Sequence, residues 1–248
     1  MIESVKDKTI VITGGAGGIG SACARLFLAA GARVVLVDVK PAPLDDLAAK
    51  LDAGDRVATV VSNLSTPAAC AEALETVEGP IHALVHMAGI FRADDLAPQD
   101  RESVYDPVIA ANLTNAYDMS IACLPRFDPN WPCRIVFASS LAFRRGALAY
   151  TAYSAAKGGL VGMTRSLARR LGPKVLVNAV APGLIETAMA FDLSEENRKF
   201  RESQIETIPL KRFGEADEVA AVVGFLCSDA SRYVTGQTIN IDGGMMNG

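Results

Sequence analysis

The feature that most constrains this chain is an alternation of short apolar β-type runs with helical stretches, repeated from end to end. Thr9–Thr13 is β-branched and ends in a glycine cluster, and residues 33–37 are almost entirely Val and Leu. Continuous apolar strands of this kind belong to parallel sheets covered on both faces. Further strands are expected near 56–61, 81–86, 134–138, 174–180 and 237–241. Helices are expected near 21–30, 44–51, 101–123, 150–171 and 216–227, with another opened by Thr66-Pro67. Seven strands alternating with helices imply one doubly wound α/β domain over residues 1–248, with right-handed crossovers. The least regular stretch, about 183–209, follows a strand's carboxyl end, where such sheets bind ligands. It reads as a substrate-covering segment.

Composition removes several classes of function. The chain has 248 residues, half of them hydrophobic, which is enough for one large core. With 24 basic against 28 acidic residues it offers no basic stripe, so no nucleic-acid partner is expected. The local cluster Arg165, Arg169, Arg170 and Lys174 reads as a solvated helix face; the sharper reading is a docking patch for an acidic carrier. Five cysteines, odd in number and scattered, form neither a disulfide framework nor a zinc site. His82 and His86 flank an apolar strand and sit about 13 Å apart, so no metal site is expected. The first eight residues have no apolar signal-type core, and no uncharged apolar run reaches membrane-spanning length. A cytoplasmic protein is expected.

Two constellations carry chemistry. Residues 13–20 read Thr-Gly-Gly-Ala-Gly-Gly-Ile-Gly between the first strand and the first helix. Glycines there let the backbone turn sharply and approach a pyrophosphate, while the helix start presents N–H groups to it. Gly14, Gly17, Gly18, Ile19 and Gly20 are the candidate phosphate binders. Asp38 ends the second strand, 18 residues after Gly20, where a carboxylate accepts the adenosine ribose hydroxyls and repels a 2′-phosphate. That selects NAD as cofactor. The second constellation is Tyr153 and Lys157, one helical turn apart, with Ser140 upstream at a strand end. A nearby ammonium, together with the positive nicotinamide ring, is expected to lower the tyrosine pKa, and the serine hydroxyl to hold the oxygen that exchanges a proton with Tyr153.

The glycine loop, Asn112-Leu113-Thr114, Ser140, the run from Tyr153 to Lys157, and Pro182-Gly183 resemble, in order and spacing, the short-chain dehydrogenase/reductase family. The resemblance covers nearly the whole chain. It implies a Rossmann-type seven-stranded parallel sheet in the order 3-2-1-4-5-6-7, helices on both faces, and a homotetramer or dimer. It implies that Tyr153 is the acid/base, that Lys157 lowers its pKa and binds the nicotinamide ribose, that Ser140 positions the substrate oxygen, and that Asn112 supports a water-linked proton relay. It places the cofactor against Asn63, Leu64, Ala88 and Gly89, and against Pro182, Gly183, Ile185 and Thr187 around the nicotinamide. Two departures stand out: His86-Met87-Ala88-Gly89 where Asn-Asn-Ala-Gly is frequent, and Asn63 where an Asp is common.

The C-terminal part further resembles 3-oxoacyl-acyl-carrier-protein reductases, in residues 182–187, Ile208-Pro209-Leu210, Arg212-Phe213-Gly214 and Asp242-Gly243-Gly244. That subfamily typically carries Arg where this chain has Gly17, and uses NADPH. Trp131-Pro132 stands where a basic docking residue is often found. The first expectation is therefore an NAD(H)-dependent oxidoreductase interconverting a secondary alcohol and a ketone, working towards oxidation. The alternative is an NADPH-dependent 3-oxoacyl-carrier-protein reductase; a third reading is a non-catalytic NAD-sensing regulator. Leu141, Ala142, Phe143, Met189 and Phe191 are expected to give a partly apolar pocket, with Arg144 or Arg145 in reach of an acidic group.

Overall fold

The computed structural model describes residues 2–187 and 202–246. The apolar runs pair as parallel strands: β1 (Thr9–Thr13), β2 (Arg33–Asp38), β3 (Val57–Val61), β4 (Ile81–His86), β5 (Cys133–Ala138) and β6 (Val175–Pro182). Two short strands follow, β7 (Ile185–Glu186) and β8 (Gly214–Glu215), then β9 (Thr238–Ile241). The main sheet has seven strands in the order β3-β2-β1-β4-β5-β6-β9. This is the expected order; only the number of the last strand changes, because β7 and β8 form a small sheet of their own. Two-residue strands are too short to show periodicity in a sequence.

Successive residues of a strand face opposite sides of the sheet, and both sides are dry. Ile10 and Ile12 of β1 join Val34, Leu36, Val85 and Val136 on one face, while Val11 joins Val35, Val37, Leu84, Ile135 and Phe137 on the other. The first face is covered by α1 (Gly18–Ala29), α2 (Pro41–Leu51) and α8 (Ala216–Cys227), through Cys23, Phe27, Leu44, Val219 and Val223. The second is covered by α3 (Pro67–Glu72), α5 (Asn115–Cys123) and α7 (Thr151–Leu171), through Cys70, Met119, Cys123, Leu160 and Leu167. Removing a fully buried ring such as Phe27 would cost about 3–5 kcal/mol. All five cysteines are buried and free.

Helix boundaries differ where side chains intervene. The stretch 101–123 is helical, as expected, but is not one α-helix. Wide turns at Arg101–Tyr105 and Ala110–Thr114 flank α4 (Asp106–Ile109), and α5 follows. Asn112 lies in the second wide turn and bonds outward. A further short helix, α6 (Ala142–Arg145), follows Ser140 and was not expected. It tightens the turn after β5: the Ala142 amide donates to Ser140 Oγ at 3.2 Å.

Register fixes the functional end. Thr13 sits level with Val37 of β2 and His86 of β4, so the glycine loop, Asp38 and residues 87–89 emerge side by side. The crevice lies between β1 and β4, where the chain changes direction across the sheet.

Candidate active site

Gly14 shows why the loop after β1 must be glycine. Its φ is +64°, and a Cβ there would come within 2.8–2.9 Å of the Met87–Ala88 backbone. Ala88 N in turn donates to Thr13 Oγ1 at 3.3 Å. The loop is thus pressed onto the end of β4. Helix α1 starts at Gly18, three residues earlier than expected, with Gly17 as its extended cap residue. Its first amides, at Gly18, Ile19 and Gly20, have no preceding helical carbonyl to bond. Asp38 lies beside this loop: Oδ2 accepts from Ala16 N at 3.1 Å, and Oδ1 accepts from Lys40 N at 3.2 Å. Thr187 closes over the other side, its methyl carbon within 2.7 Å of where a Gly18 Cβ would stand.

The remaining positions assigned to the cofactor divide. Gly89 lies against Asn112 and Lys157, which leave no room for a Cβ. Gly183 bonds Ile241 O at 2.9 Å, and the Pro182 carbonyl accepts from Leu141 N at 3.1 Å, which sets the end of β6 beside Ser140. Ile185 lies in β7. Asn63 spends its side-chain oxygen on Ser65 N at 3.1 Å, and the Leu64 side chain is buried in the core. Those two residues offer an adenine fewer free groups than expected.

The chemical residues converge at the carboxyl ends of β4 and β5. Lys157 is buried on α7 and donates from Nζ to the Ala138 carbonyl at 2.8 Å. Burial pulls its pKa down to about 8. Ser139 Oγ donates to the Lys157 carbonyl at 2.8 Å, tying α7 to the same strand end. Asn112 donates from Nδ2 to Ile90 O at 2.8 Å and to Val108 O at 3.0 Å. Its Oδ1 is buried with no partner among the described residues. An orphaned acceptor next to a lysine is what a relay water needs.

One expectation is corrected. The tyrosine pKa was expected to be lowered by Lys157 together with the nicotinamide ring; the protein groups by themselves raise it, because burial of the phenol outweighs the hydrogen bond from Ser140. The ammonium stands 5.3 Å from the centre of the tyrosine ring and spends its bond on Ala138. His86 lies behind it, held between Thr13 Oγ1 (2.9 Å) and Asn115 Oδ1 (3.2 Å). Burial, reinforced by the Lys157 charge, lowers its pKa to about 3, so it stays neutral. His82, at the other end of β4, bonds Thr9 N and Asp128. No group of three or more metal-ligating side chains occurs among the described residues.

Sequence reasoning missed Phe91, Asp94 and Tyr150. Phe91 stacks on Tyr150 with centroids 3.8 Å apart, and meets Tyr153 edge-on at 4.8 Å. Buried Asp94 accepts from Thr151 N at 2.7 Å and from Thr151 Oγ1 at 3.2 Å, capping the start of α7. An aromatic residue two positions past Gly89 was the available signal. Arg144 and Arg145 are exposed on α6, the first lying over the Phe143 ring. Met189 and Phe191 lie outside the described residues. The Lys8 ammonium lies over the Trp131 ring, 4.3 Å from its centre.

A glycine-cradled crevice beside a Ser–Tyr–Lys–Asn cluster, on a parallel sheet of this order, defines a nucleotide-dependent oxidoreductase. The chain belongs to the short-chain dehydrogenase/reductase family. Residues 14–246 match the family described as enoyl-(acyl carrier protein) reductase. A 3-oxoacyl-acyl-carrier-protein reductase of Thermotoga maritima is 40% identical over 98% of this chain and 99% of its own length. One from Pseudomonas aeruginosa is 37% identical over 98% of both chains. The solved structure titled short-chain dehydrogenase/reductase, glucose/ribitol dehydrogenase, from Brucella melitensis is 37% identical. It superposes with a TM-score of 0.90 over 99% of both chains.

Proposed function

We propose that this oxidoreductase reduces the ketone of 3-oxoacyl thioesters, with Tyr153 as acid/base. The observation that carries the reaction type is the convergence of Ser140, Tyr153, Lys157 and orphaned Asn112 Oδ1 beside the glycine crevice. The thioester class is supported by the names of the curated relatives, which favour it over the general secondary-alcohol reading.

The glycine cradle and the unspent amides of α1 fit a dinucleotide. Gly14, Gly17, Gly18, Ile19 and Gly20 would hold its pyrophosphate, Asp38 its adenosine ribose, Asn63, Leu64, Ala88 and Gly89 its adenine side. Tyr153, Lys157, Pro182, Gly183, Ile185 and Thr187 would hold its nicotinamide half. When bound it supplies or takes up the hydride. Ser140 Oγ holds the substrate oxygen. Tyr153, kept protonated by burial, gives that oxygen its proton. Lys157, near pH 8 in its titration, refills the tyrosine through a water at Asn112 Oδ1. Of the expected substrate-covering segment, about 183–209, residues 188–201 lie outside the described residues.

For the cofactor we assign NAD(H), on the carboxylate of Asp38 beside the loop and on glycine at position 17. The same observation favours a second reading, an NAD-linked dehydrogenase of a small secondary alcohol. The presence of all four catalytic side chains in one cluster speaks against a sensor without chemistry. A cytoplasmic homotetramer or dimer, without nucleic-acid or membrane partners, is proposed with it; no helix among the described residues is long and apolar enough to cross a membrane. Light scattering on the purified protein tests the assembly.

The deciding experiment compares kcat/KM for acetoacetyl-CoA with NADH and NADPH, and for secondary alcohols with NAD. Reduction of the thioester, faster with NADH, is expected. Alcohol oxidation without thioester reduction would install the second reading. A preference for NADPH would remove the role given to Asp38.

A further inference from the structure

Phe91 is a large apolar side chain left 44% exposed beside the catalytic ring. Its position is nevertheless fixed. Tyr150 stacks on it at an interplanar angle of 12°, and Tyr153 meets it at 86°. The loop carrying it is pinned at three points. Asp94 N donates to Ala149 O at 2.8 Å, the Asp94 carboxylate binds Thr151, and Arg92 Nη1 donates to Ser103 O at 3.1 Å. An apolar surface held rigid and partly uncovered at a reactive site is ready for a ligand's hydrocarbon, because no side chain has to be ordered on binding.

We infer that Phe91, stacked on Tyr150, is the substrate-selecting wall of this site. It favours 3-oxoacyl compounds whose ketone carbon carries a ring or another flat apolar group. The inference rests on the reading of Tyr153 as the acid/base. The carbonyl oxygen must reach the Tyr153 hydroxyl, so a group on the carbonyl carbon lies within a ring's breadth of Phe91. A flat substituent gains aromatic contact there, whereas a methyl group leaves the wall uncovered. The ring contacts of Phe91 are with Tyr150 and Tyr153, so the selection is by shape and polarisability.

The test uses two 3-oxo esters that differ only at the ketone carbon, ethyl benzoylacetate (phenyl) and ethyl acetoacetate (methyl), with NADH. Wild type is expected to favour the phenyl compound. Phe91→Ala should lower its kcat/KM about tenfold, through KM, with kcat and the pH profile unmoved and the methyl compound changed less than twofold. Phe91→Leu, which keeps the bulk, should fall between, and NADH fluorescence titration verifies that each variant is folded. Equal losses on both esters, or a shifted pH profile, would mean that Phe91 only props Tyr153, and would overturn the inference. So would no loss on either ester. Tyr153→Phe should abolish turnover of both; activity retained there would sink the active-site reading itself, separately from Phe91.

Discussion

Strand β5 has a buried cation at each end, and the two are handled in opposite ways. At its start Arg134, 1% exposed, spreads its guanidinium over the carbonyls of Pro132, Cys133 and Ser228. At its finish the Ala138 carbonyl receives Lys157, whose pKa falls to about 8. A guanidinium does not give up its proton in a protein, and its fork suits a cluster of carbonyls. An ammonium is a point charge that burial makes titratable near neutral pH. One end of the strand therefore stays charged and holds α8 to the sheet, and the other carries a cation that can release its proton near neutral pH. Polar groups are buried at both ends, and it is the choice of cation that separates scaffold from chemistry.

The comparison breaks if the two ends respond alike to substitution. Tyr153→Phe should lower kcat about a thousandfold, the range of a lost acid/base, while the thermal midpoint and NADH affinity hold. Steady-state kinetics and a fluorescence titration check this. Arg134→Leu should do the reverse. Stripping three carbonyls of their donor should cost about 4 kcal/mol in urea unfolding, with kcat/KM of the folded fraction within twofold of wild type.

The pH dependence sharpens the contrast. Below about pH 8, Lys157 is protonated in both folded and unfolded chains, and the full cost of burying its charge is present. Between about pH 8 and the ordinary lysine value of 10.5 only the unfolded chain holds the proton, so stability rises with pH. Lys157→Met, which cannot titrate, should therefore be more stable than wild type by roughly 2 kcal/mol at pH 7, after allowing for the lost Ala138 hydrogen bond, and lose that advantage by pH 10.5. Urea titrations across that range test it; a constant difference would mean that Lys157 does not titrate there. The smallest effect belongs to Asp94→Ala. Loss of the α7 cap should cost about 1 kcal/mol and a few-fold in kcat, since it loosens the first turn that carries Tyr153.

Much of this was legible in the sequence. Ile81–His86 and Ala216–Cys227 could be bounded because apolar runs and helical periods leave their mark residue by residue. Tyr153 and Lys157 were legible because one helical turn places side chains on one face, and Ser140 because it stands just past a strand's carboxyl end. The wide turns around Asn112 were not. They depend on its amide bonding Ile90, 22 positions away, and no local pattern encodes such a partner. The stack of Phe91 on Tyr150 escaped for the same reason.

The sequence by itself determined the order of strands and helices, the glycine loop and the candidates for the reacting side chains. These follow from periodicity, backbone freedom and spacing, all of them local. Only the tertiary structure decided the protonation of the site. The direction of the Tyr153 shift, the fall of Lys157 and the neutrality of His86 come from how much water the packed sheet and helices exclude. Desolvation is a property of the whole fold around a group, and no spacing along the chain reports it.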